Sequence, residues 1–228
     1  MYYEEYGNKD GRVVLFIHGG FTTSESFQKQ KERLPEYHCI FVDLPGYGKS
    51  IMDKRYQFDY VDSAQKLMDL IQKLSPEKKV IIVGHSYGGL VVKQLLERIP
   101  EKIERVVIGS TNIKKSLLYW IYTRKLGCLI VWLMNRERLK KENIDWRRVC
   151  QTQKTAWRNF RIPVKEKIKD IPALLLYAQY DIEDIKESMK LWQQCLPIAK
   201  LCQVENSGHN YFWDCPEQVN LLLKEFLA

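Results

Sequence analysis

The stretch that most constrains the fold is VIIVGHSYGGL at residues 80–90, in which one serine stands between two glycines. The four apolar residues that open it indicate a short strand buried on both faces, and the residues after the glycines have helical spacing up to Pro100. A strand that turns into a helix over so few residues brings neighbouring backbones close together. Glycine at 84 and 88 permits that approach, because a Cβ there would collide with the adjoining strand or helix.

This turn should hold the hydroxyl of Ser86 at its tip, at the carboxyl end of the strand. The start of the following helix points free backbone N–H groups toward the same place. The pattern G-x-S-x-G in this setting is typical of a nucleophile elbow, so Ser86 is the predicted nucleophile. The alternative is a tight turn with an ordinary serine, and the partners that the chain offers to Ser86 weigh against it.

Short apolar strands alternate with helical segments along the rest of the chain. This order predicts a largely parallel sheet covered on both faces, in which ligands bind outside the carboxyl ends of the strands. The Asp-Gly of residues 8–11 predicts a tight reversal between the first two strands. The other predicted strands are residues 1–6, 12–17, 39–42, 106–109, 173–177 and 199–204. The other predicted helices are residues 24–34, 60–74 with Asp59 as cap, 185–195 and 217–227.

A serine hydroxyl is a poor nucleophile at neutral pH, so Ser86 needs a base that takes its proton. Of the four histidines, His209 follows the last predicted strand in the loop ENSGHN, from which it can reach the serine. We therefore expect His209 to be the base. His85 adjoins the serine, but its side chain should point away across the elbow, while His18 and His38 border strands.

The base needs a further group that orients it. Asp181 follows the predicted strand 173–177, and the order Ser, Asp, His along the chain is the one expected for this scaffold. Glu183 and Asp184 are nearby alternatives, and Asp181 could instead cap a loop or a helix.

A tetrahedral intermediate also needs hydrogen-bond donors around its oxyanion. One expected donor is the backbone N–H of Tyr87, directly after the nucleophile. The other should come from the turn HGGF at residues 18–21, with Gly20 as the first choice and Phe21 as a substitute. The small residue at position 20 also leaves room for a substrate.

These motifs together resemble the α/β-hydrolase superfamily, and specifically its small esterase- and lipase-like members. The matching stretches are HGG at 18–20, DLPGYGKS at 43–50, GHSYGG at 84–89, AQYD at 178–181, GH at 208–209 and PE at 216–217. They run through the whole chain in the family's order, although the family often has glycine where Ala178 stands. The resemblance implies an α/β-hydrolase fold with a core of residues 1–110 and 169–228, and a helical cap, or lid, of residues 111–168.

The predicted cap combines positive charge with apolar runs. Its fifteen Lys and Arg face four Asp and Glu, a local charge of +11, whereas the remainder of the chain carries −3. We expect Phe21, Trp120 and Trp132 to bind an acyl or aromatic substrate, although the cap helices could simply pack on the body as core. The basic outer face should favour anionic substrates or weak contact with anionic lipid, unless it is an ordinary solvated face. The predicted cap helices are residues 117–122 and 126–134.

The resemblance implies a serine hydrolase that cleaves a carboxylic ester, or a related acyl bond, of a small apolar or aromatic substrate through an acyl-enzyme. No metal or organic cofactor is implied. A serine rather than an aspartate at position 86 argues against haloalkane dehalogenase or epoxide hydrolase chemistry. Thioester hydrolysis, C–C bond hydrolysis and lyase chemistry on the same triad are alternatives. A small-molecule receptor that keeps the fold without catalysis is another.

Composition and the cysteine pattern indicate the class of protein and the compartment in which we expect it. With 45% hydrophobic and 28% charged residues, the chain is ordinary for a globular protein. Its first residues are polar and acidic, unlike a signal or transit peptide, and its six cysteines include no CxxC pair, so we expect a cytoplasmic protein with reduced thiols. No apolar run reaches membrane-spanning length, and neither stable membrane insertion nor nucleic-acid binding is expected. The sequence leaves the oligomeric state open.

Overall fold

The computed structural model describes residues 1–50, 52, 58–141, 144, 146–161 and 168–228. Within them, seven strands form one sheet in the order β1-β3-β2-β4-β5-β6-β7. The strands are β1 (Tyr3–Gly7), β2 (Val13–Ile17), β3 (His38–Val42), β4 (Val80–His85), β5 (Ile103–Gly109), β6 (Ala173–Ala178) and β7 (Ala199–Val204). Only the β1–β3 pair is antiparallel among these strands, so the carboxyl ends of β2 to β7 share one edge.

Helices cover both faces of this sheet. They are α1 (Tyr60–Leu74), α2 (Tyr87–Arg98), α3 (Leu117–Tyr122), α4 (Lys125–Met134), α5 (Arg136–Lys141), α6 (Trp146–Asn159), α7 (Glu183–Cys195), α8 (Tyr211–Asp214) and α9 (Pro216–Leu227). Two short 3₁₀ segments are Ser24–Phe27 and Pro100–Lys102. Alternate residues of β4 enter the two cores: Val80 and Ile82 join one, and Ile81 and Val83 join the other. The apolar strand predicted from this run is therefore buried on both faces, as expected for a parallel sheet.

The predicted helix at residues 60–74 is confirmed together with its cap. The side chain of Asp59 accepts a hydrogen bond from the backbone N–H of Val61, which satisfies one of the unpaired donors of the first turn. Tyr60, Ala64 and Leu67 point into the core. This helix packs against α2, the helix that follows the predicted elbow.

The predicted helix at residues 24–34 is wrong. Only Ser24–Phe27 is helical, as a 3₁₀ segment, and the chain continues in turns whose backbone N–H groups bond three residues back, from Gln28 to Glu25 and from Gln30 to Phe27. A three-residue repeat brings Ser24, Phe27 and Gln30 to the same buried side. The tertiary contact of Gln30, whose Nε2 donates to the carbonyl of Phe212, accompanies this tighter winding.

The predicted reversal at residues 8–11 exists, but the two strands that it joins do not pair. The backbone N–H of Gly11 bonds to Asn8, and β3 then lies between β1 and β2. The reason lies in the two sequences. All five residues of β2 are apolar and buried, so β2 needs neighbours on both sides, whereas β1 is partly exposed and polar and suits an edge.

Between β5 and β6 the chain forms α3, α4, α5 and α6, which pack on one another and, through α6, on α2. The predicted helices at 117–122 and 126–134 are confirmed, the second starting one residue earlier. Residues 142, 143, 145 and 162–167 of the predicted cap lie outside the described residues. No helix in the described ranges is long and apolar enough to cross a membrane.

Candidate active site

The turn from β4 into α2 has the strained geometry that its sequence predicts. Ser86 stands at the tip with a φ of 54°, in the left-handed region that non-glycine residues rarely adopt. A Cβ on Gly88 would lie 2.2 Å from the carbonyl oxygen of Ile17, so the helix can approach β2 only with glycine there. The backbone N–H of Ser86 donates to Gly109 at 2.7 Å and anchors the turn to β5.

The structure brings the three predicted catalytic residues together at the carboxyl edge of the sheet. Nε2 of His209 lies 2.9 Å from Oγ of Ser86, and Nδ1 of His209 lies 2.7 Å from Oδ1 of Asp181. Asp181 follows β6, and His209 lies on the loop between β7 and α8. Of the alternative acids, Asp184 accepts a hydrogen bond from the hydroxyl of Ser116, and Glu183 is exposed at the start of α7. The contact with His209 therefore belongs to Asp181.

Both carboxylate oxygens of Asp181 accept hydrogen bonds, which favour its charged form. Its Oδ2 accepts from the backbone N–H of Ala178 at 2.8 Å and from Oγ of Ser110 at 2.5 Å. Burial raises the pKa of Asp181, but the hydrogen bonds from His209, Ser110 and Ala178 outweigh it and leave the pKa below its ordinary value of 3.8. Ser110 was not identified from the sequence. Its position directly after the predicted strand 106–109, at the edge where ligands bind, was the available signal.

The other three histidines have different partners. The ring of His85 reaches across the elbow, and its Nε2 lies 2.9 Å from the backbone carbonyl oxygen of His209. Nε2 of His18 accepts the backbone N–H of Leu44 at 3.0 Å, and His38 bonds to Glu5. His209 is thus the histidine placed against the serine, and His85 positions its loop, a role that sequence reasoning missed.

The two predicted sources of oxyanion donors lie side by side. Tyr87 is the first residue of α2, where a backbone N–H has no partner within the helix. Gly20 and Phe21 line the same cavity as Ser86, and Phe21 has a φ of 61°. A Cβ on Gly20 would lie 1.9 Å from the ring of Tyr87, so the turn and the elbow pack closely only with glycine at this position.

A cavity of about 1060 Å³ opens over Ser86 and His209. Its apolar wall includes Leu90, Tyr119, Val131, Phe160 and Ile185. Polar side chains contribute to the remaining wall, including Glu25, Ser26, Asn135, Glu137, Lys141 and Asp214. The wall therefore combines apolar side chains with polar ones. Its apolar side chains come both from helices that pack on the sheet and from the helices inserted between β5 and β6.

Of the three predicted substrate-binding residues, Phe21 lines this cavity, whereas Trp120 and Trp132 are not part of its described lining. The helices are those expected, but they present Tyr119 and Val131, the neighbours of the two tryptophans, to the cavity. Trp120 is instead partly exposed, with the guanidinium of Arg124 4.0 Å from its ring centroid.

A buried chain of hydroxyls ties the elbow to the inserted helices. The hydroxyl of Tyr87 donates to Oε1 of Gln153 at 2.5 Å and lies 2.5 Å from the hydroxyl of Tyr119. Since Tyr87 has only one hydroxyl proton, Tyr119 must donate to Tyr87. Burial raises the pKa of Tyr87, so this network is neutral. Residues of α2, α3 and α6 are thereby joined around the cavity.

No group of His, Cys, Asp and Glu suited to hold a metal ion occurs among the residues that the structure describes.

The family model for the alpha/beta hydrolase fold matches residues 12–126, half of the chain. The chain belongs to this family. Two curated relatives are Epoxide hydrolase 1 of Caenorhabditis elegans, 24% identical over 100% of this chain and 67% of that protein, and Lipase 1 of Psychrobacter immobilis, 25% identical over 92% and 74%. Among solved structures, a thermophilic esterase from Thermogutta terrifontis superimposes with a TM-score of 0.77 at 19% identity, covering 99% of this chain and 92% of that one.

Proposed function

We propose that the protein is a serine hydrolase that cleaves carboxylic esters of small apolar or aromatic acids through an acyl-enzyme. The observation that carries the proposal is the unbroken hydrogen-bonded line from Oγ of Ser86 through His209 to Asp181, with distances of 2.9 Å and 2.7 Å. Nucleophile, base and orienting acid have the mutual contacts that this chemistry requires.

In the first half-reaction, Oγ of Ser86 attacks the ester carbonyl carbon while Nε2 of His209 takes the hydroxyl proton. The carboxylate of Asp181 stabilises the imidazolium that forms, and the tetrahedral oxyanion accepts hydrogen bonds from the backbone of Tyr87 and of Gly20 or Phe21. The intermediate collapses, the C–O bond to the alcohol breaks, and His209 returns the proton to the leaving alkoxide.

In the second half-reaction, water attacks the acyl group on Ser86, with His209 again taking the proton. Collapse of the new tetrahedral intermediate releases the carboxylic acid and restores the hydroxyl of Ser86. Because the buried Asp181 keeps a low pKa, it orients His209 throughout without taking up the proton itself.

The cavity supports the choice of substrate. Its volume of about 1060 Å³ and its wall of Leu90, Tyr119 and Phe160 suit an apolar acyl or aromatic group. Two of the similar proteins are named a lipase and an esterase. A third is named an epoxide hydrolase, but the serine at position 86 argues against epoxide chemistry here.

The test is turnover of p-nitrophenyl acetate and butyrate by the purified chain, beside matched thioesters and a lactone. We expect saturable ester hydrolysis that Ser86→Ala abolishes. The matched control is Ser207→Ala, which removes another hydroxyl two residues before His209, one that donates to the backbone carbonyl of Val204 at the end of β7. A folded wild-type protein that binds these esters without hydrolysing them would favour the receptor alternative, and faster turnover of thioesters would favour a thioesterase.

A further inference from the structure

The outer surface of α3 and α4 is apolar where an ordinary surface would be polar. In α4 the residues that point outward recur at helical spacing, and Leu126 and Met134 are 69% and 80% exposed. In α3, Leu117 is 74% exposed. We name this surface the α3–α4 face and define it by Leu117, Leu118, Trp120, Ile121, Leu126, Leu129, Ile130, Leu133 and Met134, all of which are exposed.

The inner side of α4 is apolar as well. Gly127 and Cys128 are buried, and Val131, one turn further on, lines the cavity. When a helix is apolar on both sides, one side is buried against the protein, and the other side needs a second apolar environment to cover it. Contiguous exposed apolar surface of this kind marks an interaction site.

The segment that carries the α3–α4 face is rich in positive charge. Residues 114–141 contain eight Lys and Arg and a single acid, Glu137. Exposed bases among them are Lys115, Arg124, Lys125, Arg136, Lys140 and Lys141. The guanidinium of Arg124 stacks on Trp120, which places an amphipathic aromatic side chain and a cation together. Leucine, isoleucine and tryptophan bordered by Lys and Arg are the composition of helices that lie in a lipid interface.

We propose that the α3–α4 face docks on an anionic phospholipid bilayer, with its apolar side chains among the acyl chains and its bases at the headgroups. Charge complementarity selects this occupant. A second copy of the chain would bring the same excess of positive charge against the first, which opposes self-association through this face. Docking does not depend on the proposed hydrolase activity, so a catalytically dead protein docks equally well.

The test is flotation of the Ser86→Ala protein with vesicles of phosphatidylcholine alone, or of phosphatidylcholine mixed equally with phosphatidylglycerol. We expect binding to the anionic vesicles that weakens in high salt, since screening acts on the charges and not on the apolar contact. The variant L126Q/L133Q should lower partitioning at least about tenfold. The variant K125Q/K140Q should lower it by roughly fivefold for each lysine.

The matched control is L221Q/K224Q, which makes the same changes on the exposed surface of α9, and it should bind like the parent. Circular dichroism checks that each variant is folded. If L126Q/L133Q does not fold, the binding of K125Q/K140Q decides the test. No binding to anionic vesicles, equal binding to both vesicle types, or equal loss in L221Q/K224Q would overturn the proposal. A dimer that light scattering detects in the parent protein but not in L126Q/L133Q would also overturn it, because the face would then bind a second copy.

Discussion

The ring of His85 ties the nucleophile elbow to the loop that carries the base. Its Nε2 lies 2.9 Å from the backbone carbonyl oxygen of His209, and the centroids of the two rings are 5.0 Å apart. The residue before Ser86 thus sets the position of the residue that Ser86 must contact. The position of the base relative to the nucleophile therefore depends on a bond between the neighbour of Ser86 and the backbone of His209, and not on the loop alone.

Replacing His85 should therefore impair catalysis without removing any reacting group. We expect His85→Ala to lower kcat by about 10- to 100-fold with KM little changed, because a displaced base costs rate rather than binding. His85→Gln, which keeps a donor, should recover part of the loss. The control is His38→Ala, another buried histidine whose partner is Glu5 on β1, and it should lower the melting temperature but not kcat.

Asp181→Asn should keep the shape of the site yet remove the charge that stabilises protonated His209. We expect kcat to fall by about 10⁴-fold, the loss that the same change causes in a serine protease. Steady-state ester hydrolysis measures it. Asp184→Asn is the matched control, because Asp184 lies three residues on and bonds to Ser116 rather than to His209. A severe effect of the control beside a mild effect at Asp181 would transfer the orienting role to Asp184.

The apolar wall of the cavity predicts a preference for longer acyl chains. Each buried methylene contributes up to about 0.8 kcal/mol, or roughly fourfold in kcat/KM, until the cavity is full. Val131→Trp adds bulk to the wall and should shift the optimum to shorter chains, whereas Trp120→Ala should leave the optimum unchanged because Trp120 is not part of the described lining. A series of p-nitrophenyl esters measures the optimum, and a flat series would argue against an acyl pocket.

The ion pair between Glu4 and Lys31 should make stability depend on pH. The hydrogen bond from Lys31, at 2.6 Å, is the largest cause that lowers the pKa of Glu4 from 4.5 to about 2, with further hydrogen bonds from Tyr2 and Lys49. Since the folded pKa lies below the unfolded one, the contribution is fully present above the unfolded value and is lost as pH falls through the folded value. We expect Glu4→Gln to reduce the free energy of unfolding by about 1–2 kcal/mol near neutral pH, and by progressively less below about pH 4.5. Urea unfolding measures the difference, and a difference independent of pH would contradict the assignment.

Most of the sheet could be predicted from the sequence because parallel strands buried on both faces are short apolar runs. The runs at 80–83, 106–109 and 173–177 all became strands. The pairing of β1 could not be predicted in this way, since an Asp-Gly reversal fixes a change of direction and not the neighbour. The winding of residues 24–34 also depended on distant contacts, such as that of Gln30 with α8.

The hydrogen-bonded centre could be predicted because each member follows a strand in a local motif. Ser110 and His85 were missed because their partners, Asp181 and the carbonyl of His209, are distant in sequence. Local composition predicted the inserted helices but not their rotation. Trp120 is directed elsewhere because adjacent helical residues point about 100° apart, and Tyr119 was the one brought to the cavity by its bond with Tyr87.

Covalent labelling of the chain with a fluorophosphonate tests the central claim most directly, because such reagents trap an activated serine as a stable phosphonyl ester. Intact mass and peptide mapping should show one adduct per chain, on Ser86. Labelling should be slowed severely in His209→Ala and be absent in Ser86→Ala. Stoichiometric labelling of folded Ser86→Ala at another residue, or undiminished ester turnover by that variant, would contradict the account.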